Sequence, residues 1–334
     1  MNILITGSNG FVGSRLMWFL EEKGHKVFGI DKRSYCLIEK HPNTILGDIR
    51  KKEDLAKFNH RKIDLIIHCA ASKHDFGISE EEYFSDNEYG TKVLMEFASE
   101  ADINKIIYYS TVSVYGHESV PCDESGNLQP DNPYGASKLA GEFVIANWQT
   151  HVPNNREVVI VRPSIIYGPY NFANMYNLIE MMYKKPWITI GKGNHIKSMI
   201  SLNNLIDMTY FMIDQMKPGF EYVNALDKPY ITVKRLMEII ATHQEFKEPI
   251  IRVPEKIAIG VGKIFDLFGS VIGRDIPINS DRMQKFTTST HYFSEKIRDL
   301  GYKQKYSIEE ELAKTIDWFL EVHQDRKKLD PAYR

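Results

Sequence analysis

Tyr134 and Lys138 stand four residues apart in Pro133-Tyr134-Gly135-Ala136-Ser137-Lys138, so a helix carries both on one face. A free phenol, with a pKa of about 10, is a poor base at neutral pH. A neighbouring positive charge favours the phenolate and brings it towards a working range. Upstream, Tyr109-Ser110-Thr111-Val112-Ser113-Val114-Tyr115-Gly116 supplies hydroxyls able to hydrogen-bond a substrate oxygen. A base, an ammonium and a hydroxyl suit the interconversion of an alcohol and a carbonyl.

That chemistry needs a hydride acceptor, and the N-terminus offers a place for one. Thr6-Gly7-Ser8-Asn9-Gly10-Phe11-Val12-Gly13 follows an apolar run directly and opens a helical pattern. In such a loop Gly7 permits the turn, Gly10 admits a diphosphate close to the backbone, and Gly13 lets helix and strand approach. The N–H groups of Phe11, Val12 and Gly13 then face the anion. Asp31, eighteen residues beyond Gly13, is placed to accept from both ribose hydroxyls and to repel a 2′-phosphate, which favours NAD over NADP. Lys32 and Arg33 follow it and soften that preference. Asp48-Ile49 fits an adenine pocket, with a carboxylate for the exocyclic amine and an aliphatic wall for the ring; as isolated residues the two equally suit a plain strand end.

Apolar runs at residues 3–6, 26–30, 65–69, 105–110 and 157–161 read as strands, with helical patterns at 11–23, 88–100 and 134–150 between them. The alternation predicts an α/β fold with a doubly wound parallel sheet of Rossmann type and ligands at the carboxyl ends of its strands. Residues 1–167 form this nucleotide-binding domain, with part of 199–226 returning to it. Residues 168–334 form a smaller mixed α/β substrate domain closed by a helix from the capping-box sequence Ser307-Ile308-Glu309-Glu310 to about Val322, followed by a charged, frayed tail. The chain has 334 residues, a net charge of −2, and 43% hydrophobic against 26% charged residues. These values predict a folded core and no general affinity for nucleic acid. Cys36, Cys69 and Cys122 are too scattered for a disulfide framework, and His68, His74 and His195 lack metal-ligand spacing. His68, at a strand end, reads as a core imidazole. The first six residues read as a strand and not as a signal, so the expected location is the cytoplasm.

Taken in order, the Gly7/Gly10/Gly13 loop, Asp31, Asp48-Ile49, His68-Cys69-Ala70-Ala71, Asn87, Ser110–Gly116, Pro133–Lys138 and Arg162-Pro163 through Tyr167-Gly168-Pro169 resemble the extended short-chain dehydrogenase/reductase family. The resemblance implies a catalytic Thr111 beside Ser110, a cofactor site that Ser110, Ala70, Ala71, Lys73 and Asn87 help to line, and Tyr134 and Lys138 holding the nicotinamide ribose. It also suggests a homodimer.

Within that family the hexose 4,6-dehydratases carry an Asp-Glu pair after the catalytic threonine, where this chain has Val112-Ser113. What remains is chemistry with one base and one hydride acceptor: 4-epimerisation of a sugar through a 4-keto intermediate. A simple NAD(P)-dependent reductase is the main alternative, and a non-catalytic nucleotide sensor a more distant one. Segments at 174–179, 193–199 and 282–290 resemble a subgroup of sugar 4-epimerases from surface-polysaccharide pathways. Some of these act on N-acetylglucosamine linked through diphosphate to a polyprenyl lipid. By that likeness Asn177, Lys197 and Arg282 grip the substrate diphosphate, although Lys197 and Arg282 also read as ordinary surface charges. Ile165 stands where many sugar-nucleotide epimerases have asparagine, which argues against their usual substrate pose. Apolar residues at 257, 261, 264, 265, 268 and 272, flanked by basic ones, give 255–273 two readings: a peripheral membrane contact at the inner face of the membrane, or packing within the substrate domain.

Overall fold

The computed structural model describes residues 1–36, 38–73, 78–117, 119–184, 188–243, 251–254 and 289–329. Two compact units emerge. The first comprises Met1–Ile166, Met199–Asp227 and Tyr292–Tyr306; the second comprises Tyr167–Ser198, Lys228–His291 and Ser307–Arg334. The sequence reading left 292–306 with the second half of the chain, and this short stretch instead belongs to the first unit.

The first unit is built on seven strands: β1 (Asn2–Thr6), β2 (Lys26–Asp31), β3 (Thr44–Leu46), β4 (Leu65–His68), β5 (Lys105–Tyr109), β6 (Glu157–Pro163) and Gly219–Ala225. All pair in parallel, in the spatial order 219–225, β6, β5, β4, β1, β2, β3. The strand order reverses between β1 and β4, which is where a doubly wound sheet opens a ligand crevice. Register brings the strand ends level, since Thr6 lies opposite both Ile30 and His68, and His68 opposite Tyr108. The glycine loop, Asp31, Cys69 and Ser110 therefore leave the sheet at one edge.

Alternation along the strands sends Ile3, Ile5, Ile67, Ile107 and Val159 to one face and Leu4, Ile66, Ile106, Val158 and Ile160 to the other. Helices α1 (Phe11–Glu22) and α7 (Leu202–Gln215) cover the first face; α4 (Gly90–Glu100) and α5 (Pro133–Thr150) cover the second. Burial on both faces explains why these strands read as unbroken apolar runs. Helices α2 (Lys52–Leu55) and α3 (Glu80–Phe84) are short, and α3 runs into a wide π-helical turn, Ser85–Tyr89.

The second unit is mixed α/β. Ile188–Ile190 pairs in parallel with Ile251–Val253, and α6 (Asn174–Tyr183) and α8 (Val233–Ala241) pack with the helix Ile308–Val322. That last helix has the expected capping box, Ser307 and Glu310 each bonding the other's backbone N–H. Phe172 and Tyr176 meet Trp318 edge-on at 5.1 and 5.7 Å. The tail is held further than its charge suggested: Arg326 pairs with Glu180 at 2.5 Å and lies over the Tyr176 ring.

Candidate functional site

The glycine loop leaves β1 through Gly7, whose φ of +68° is a left-handed conformation. Any side chain there would collide with the backbone of Ala70, and a Cβ on Gly13 would lie 2.2 Å from Gly7 O. Helix α1 thus begins pressed onto the loop. Its N-cap is Gly10, which supplies no side-chain cap to the first-turn N–H groups of Phe11, Val12 and Gly13.

Asp31 is buried at the end of β2. Its Oδ2 accepts from Asn9 N at 2.9 Å and its Oδ1 from Arg33 N at 2.8 Å, with Arg33 Nε at 3.5 Å. A carboxylate offers about four acceptor positions, so the two backbone bonds orient Asp31 without exhausting it. Beside it, Asn9 Oδ1 is buried with no hydrogen-bond partner among the described residues.

Next to Asp31 lies a charge cluster that the sequence did not announce. Asp86, in the π-helical turn, receives Lys32 Nζ at 2.5 Å and Ser72 Oγ on Oδ2, and Arg50 Nη1 at 3.0 Å on Oδ1. Arg50 also holds Asp48, with Nη2 to Oδ2 at 2.6 Å and Nε within 3.0 Å of both oxygens. Burial would raise the Asp48 carboxyl, but the Arg50 bonds outweigh it and hold the group below its usual range. Ile49 is buried in the core, against Gly90 at the start of α4. Asp48 and Ile49 are thus already engaged with protein partners.

At the other end, Thr111 follows β5 and caps a short helical turn, Val112–Val114. Its Oγ1 accepts from Ser113 N and bonds Ser113 Oγ, both at 3.2 Å. Helix α5 starts at Pro133 because Asn132 Oδ1 accepts from Gly135 N and the proline suits the first turn. This places half-buried Tyr134 one turn before fully buried Lys138. The Tyr83 ring lies 6.2 Å from that of Tyr134, and Lys138 Nζ sits 4.0 Å from the centre of the Tyr108 ring. Burial pulls Lys138 down to about 7, against the opposing influence of Cys69 and Glu142.

Asn87, adjacent to Asp86, braces this turn. Its amide donates to Ser72 O at 3.0 Å and Ser137 Oγ at 2.9 Å, and accepts from Ser72 N at 2.8 Å; Ser137 Oγ in turn bonds Tyr134 O. The residue sought as a cofactor contact therefore ties the end of β4 to α5. His68 is a buried, bonded imidazole. Because Thr91 Oγ1 donates to Asn87 O, it accepts from His68 Nε2, leaving Nδ1 to accept from Thr6 Oγ1 at 2.7 Å. Burial, aided by Lys138, holds this ring well below its ordinary range and so neutral.

Ser110 also has a protein partner: its hydroxyl donates to Glu142, one turn beyond Lys138. Glu142 is locked to Arg162 of β6 through Nη2 at 2.6 Å and Nε at 3.0 Å. Arg162 Nη1 donates to Tyr115 Oη at 2.8 Å, and Tyr115 donates to Asn224 at 2.9 Å. Glu142, Arg162 and Asn224 are all buried. Sequence reasoning missed Glu142, although the 134/138/142 spacing puts it on the face already singled out.

Of the remaining candidates, Ala70 N donates to Thr6 Oγ1, while Ala71 and Lys73 are exposed at the end of β4. In the second unit Asn177 is exposed and accepts from Arg326 Nη2 at 3.1 Å. Lys197 is part-buried, and burial lowers it to about 8. Arg282 and the segment 255–273 lie outside the described residues. Among the described residues no helix is long and apolar enough to cross a membrane, and no His, Cys, Asp or Glu cluster could hold a metal ion.

A family model described as the NAD dependent epimerase/dehydratase family matches residues 3–225, more than half of the chain. The chain belongs to that family. One relative is the N-acetyl-alpha-D-glucosaminyl-diphospho-ditrans,octacis-undecaprenol 4-epimerase of Escherichia coli O157:H7, 27% identical over 318 residues, 95% of each chain. Another is the dTDP-D-glucose 4,6-dehydratase of Homo sapiens, 28% identical over 349 residues, 99% of this chain and 93% of that one. The UDP-glucuronic acid 4-epimerase from Bacillus cereus, solved in complex with NAD, shares the fold with a TM-score of 0.76 at 23% identity, covering 97% of this chain and 100% of the other. The chain is accordingly an NAD-dependent enzyme of the sugar epimerase/dehydratase group. Its first unit fits that cofactor: a loop too tight for side chains, an uncapped helix start, a buried carboxylate with acceptor capacity left, and an orphaned acceptor on Asn9 beside it.

Proposed function

We propose that this protein is a 4-epimerase of a diphosphate-linked hexose of the N-acetylglucosamine type, carried by a polyprenyl lipid or by uridine, in surface-polysaccharide synthesis. The observation that carries this reading is that Val112 and Ser113 stand where the similar dehydratases hold acidic side chains, with the Ser113 hydroxyl bonded to that of Thr111 at 3.2 Å. Hydroxyls can orient a C4 oxygen, but they are poorly suited to the proton transfers at C5 and C6 that loss of water requires. The 4-epimerase from Escherichia coli, similar along 95% of both chains, supports the choice of carrier.

In this reading Phe11, Val12 and Gly13 N–H receive the cofactor diphosphate, Asp31 the adenosine ribose, and Tyr134 and Lys138 the nicotinamide ribose. NAD supplies the acceptor and then the donor of the C4 hydride. Tyr134 takes the C4 hydroxyl proton as the sugar becomes a 4-keto intermediate and returns it after the sugar presents its other face. Lys138 stabilises the phenolate, and Thr111 donates to the C4 oxygen as charge develops there. Asn177, Lys197 and Arg282 bind the substrate diphosphate.

The test is turnover of polyprenyl-diphosphate N-acetylglucosamine, UDP-N-acetylglucosamine and UDP-glucose with catalytic enzyme and no added reductant. Reversible formation of the C4 epimer is expected. Product that forms only when stoichiometric NADH is supplied would establish a reductase, and a 6-deoxy-4-keto product a dehydratase; either overturns the proposal.

A further inference from the structure

The ends of β2, β3 and β4 are gathered at a single carboxylate. Asp86, 7% exposed, holds Lys32 at 2.5 Å, Arg50 at 3.0 Å and the Ser72 hydroxyl. Lys32 directly follows Asp31, so its ammonium is the cation nearest along the chain to the group that reads the ribose. The second neighbour, Arg33, is engaged by Asp31 itself at 3.5 Å, and the outer edge of Arg50 is closed by Asp48. Three cations, Lys32, Arg33 and Arg50, thus stand against three carboxylates, Asp31, Asp48 and Asp86, and each cation has a partner.

We propose that Asp86 is a specificity-determining residue for the cofactor: by holding Lys32 and Arg50 it withholds counter-charge from the ribose 2′-position, so that NADP meets Asp31 without compensation. A 2′-phosphate brings close to two negative charges and needs a lysine or arginine free to approach it. Asp31 alone disfavours that phosphate, but an unrestrained neighbouring ammonium would offset much of the repulsion. Asp86 removes that remedy by acting through Lys32, as a positioning residue. The proposal rests on the assignment of Asp31 to the adenosine ribose.

The experiment compares NADH and NADPH dissociation constants, from nucleotide fluorescence and calorimetry, in wild type, Asp86→Asn, Lys32→Met and the double variant. Asp86→Asn keeps the shape and removes the charge. It should improve NADPH binding relative to NADH at least fivefold, and the double variant should return to within fivefold of the wild-type ratio. Lys32→Met alone should leave the ratio within fivefold, because the ammonium it removes is already withheld. This arm decides the matter if Asp86→Asn fails to fold. The proposal is overturned by an Asp86→Asn ratio within fivefold of wild type, by persistence of the shift in the double variant, or by a fivefold or greater loss of NADPH binding in Lys32→Met alone. If wild type binds neither nucleotide, the assignment of Asp31 falls, and the proposal with it.

Discussion

The two ends of the nucleotide crevice are organised by different physics. Around Asp31 the side chains are held by ion pairs whose cations reach solvent; Lys32 is 47% exposed while its partner Asp86 is 8% exposed. Behind Thr111 the anchoring pair Glu142–Arg162 is 3% exposed on both sides and continues through Tyr115 to Asn224. Partly exposed pairs contribute little stability and are free to set preference among ligands. A buried pair leaves an uncompensated charge when it is broken, so it fixes position at the risk of the whole unit. In the proposed reading, discrimination sits where adjustment costs least, and the chemistry where adjustment is least tolerated.

The contrast can be broken at several points. The largest effect is expected at the reacting end: Tyr134→Phe should lower turnover by roughly 10²–10⁴-fold, with NADH binding kept within a few-fold by fluorescence titration. Retained turnover would remove the phenol from the mechanism. Next, Arg162→Met strands Glu142 and should destabilise the protein by about 3–5 kcal/mol, seen as a lower midpoint in urea unfolding.

Lys138→Met tests the same end through pH. Burial lowers Lys138 to about 7, while the unfolded lysine keeps its proton to about 10.4. Between those values the unfolded chain binds more protons, so the Lys138 contribution makes wild-type stability rise with pH; below about 7 the full cost of the buried charge remains. Lys138→Met should therefore stabilise the cofactor-free protein at pH 6, by roughly 2–5 kcal/mol. That advantage should fade towards pH 10 in calorimetric scans, and a pH-independent difference would refute the assignment. The smallest effect belongs to the outer end: Lys32→Met should change stability by under about 1 kcal/mol. A larger loss in urea unfolding would mean that the two ends are not distinct.

Much of this was legible in the chain. The strand–loop–helix beginning, Asp31 at a strand end and Tyr134/Lys138 at helical spacing are local patterns, and local patterns survive without coordinates. The Asp86 cluster draws on residues 32, 48, 50, 72 and 86, which no window along the sequence unites. Glu142 reads as one more carboxylate on a helix until Arg162, twenty residues away on β6, explains its burial. The family resemblance points to Asn87 and Ser110, but periodicity says nothing about which neighbour a hydrogen bond chooses. The return of 292–306 to the first unit was invisible for a simpler reason, since its helix Glu295–Asp299 is only five residues long.

The π-helical turn Ser85–Tyr89 carries Asp86 and Asn87 side by side, one directed to Lys32 and Arg50 and the other to Ser72 and Ser137. Such a turn holds one residue more than an ordinary helix can accommodate. Residue count in this short stretch consequently behaves like a phase setting. Deleting one position would restore regular winding and rotate one of the two side chains out of reach, so a shortened homologue should keep either its nucleotide preference or its alignment of the base, but not both.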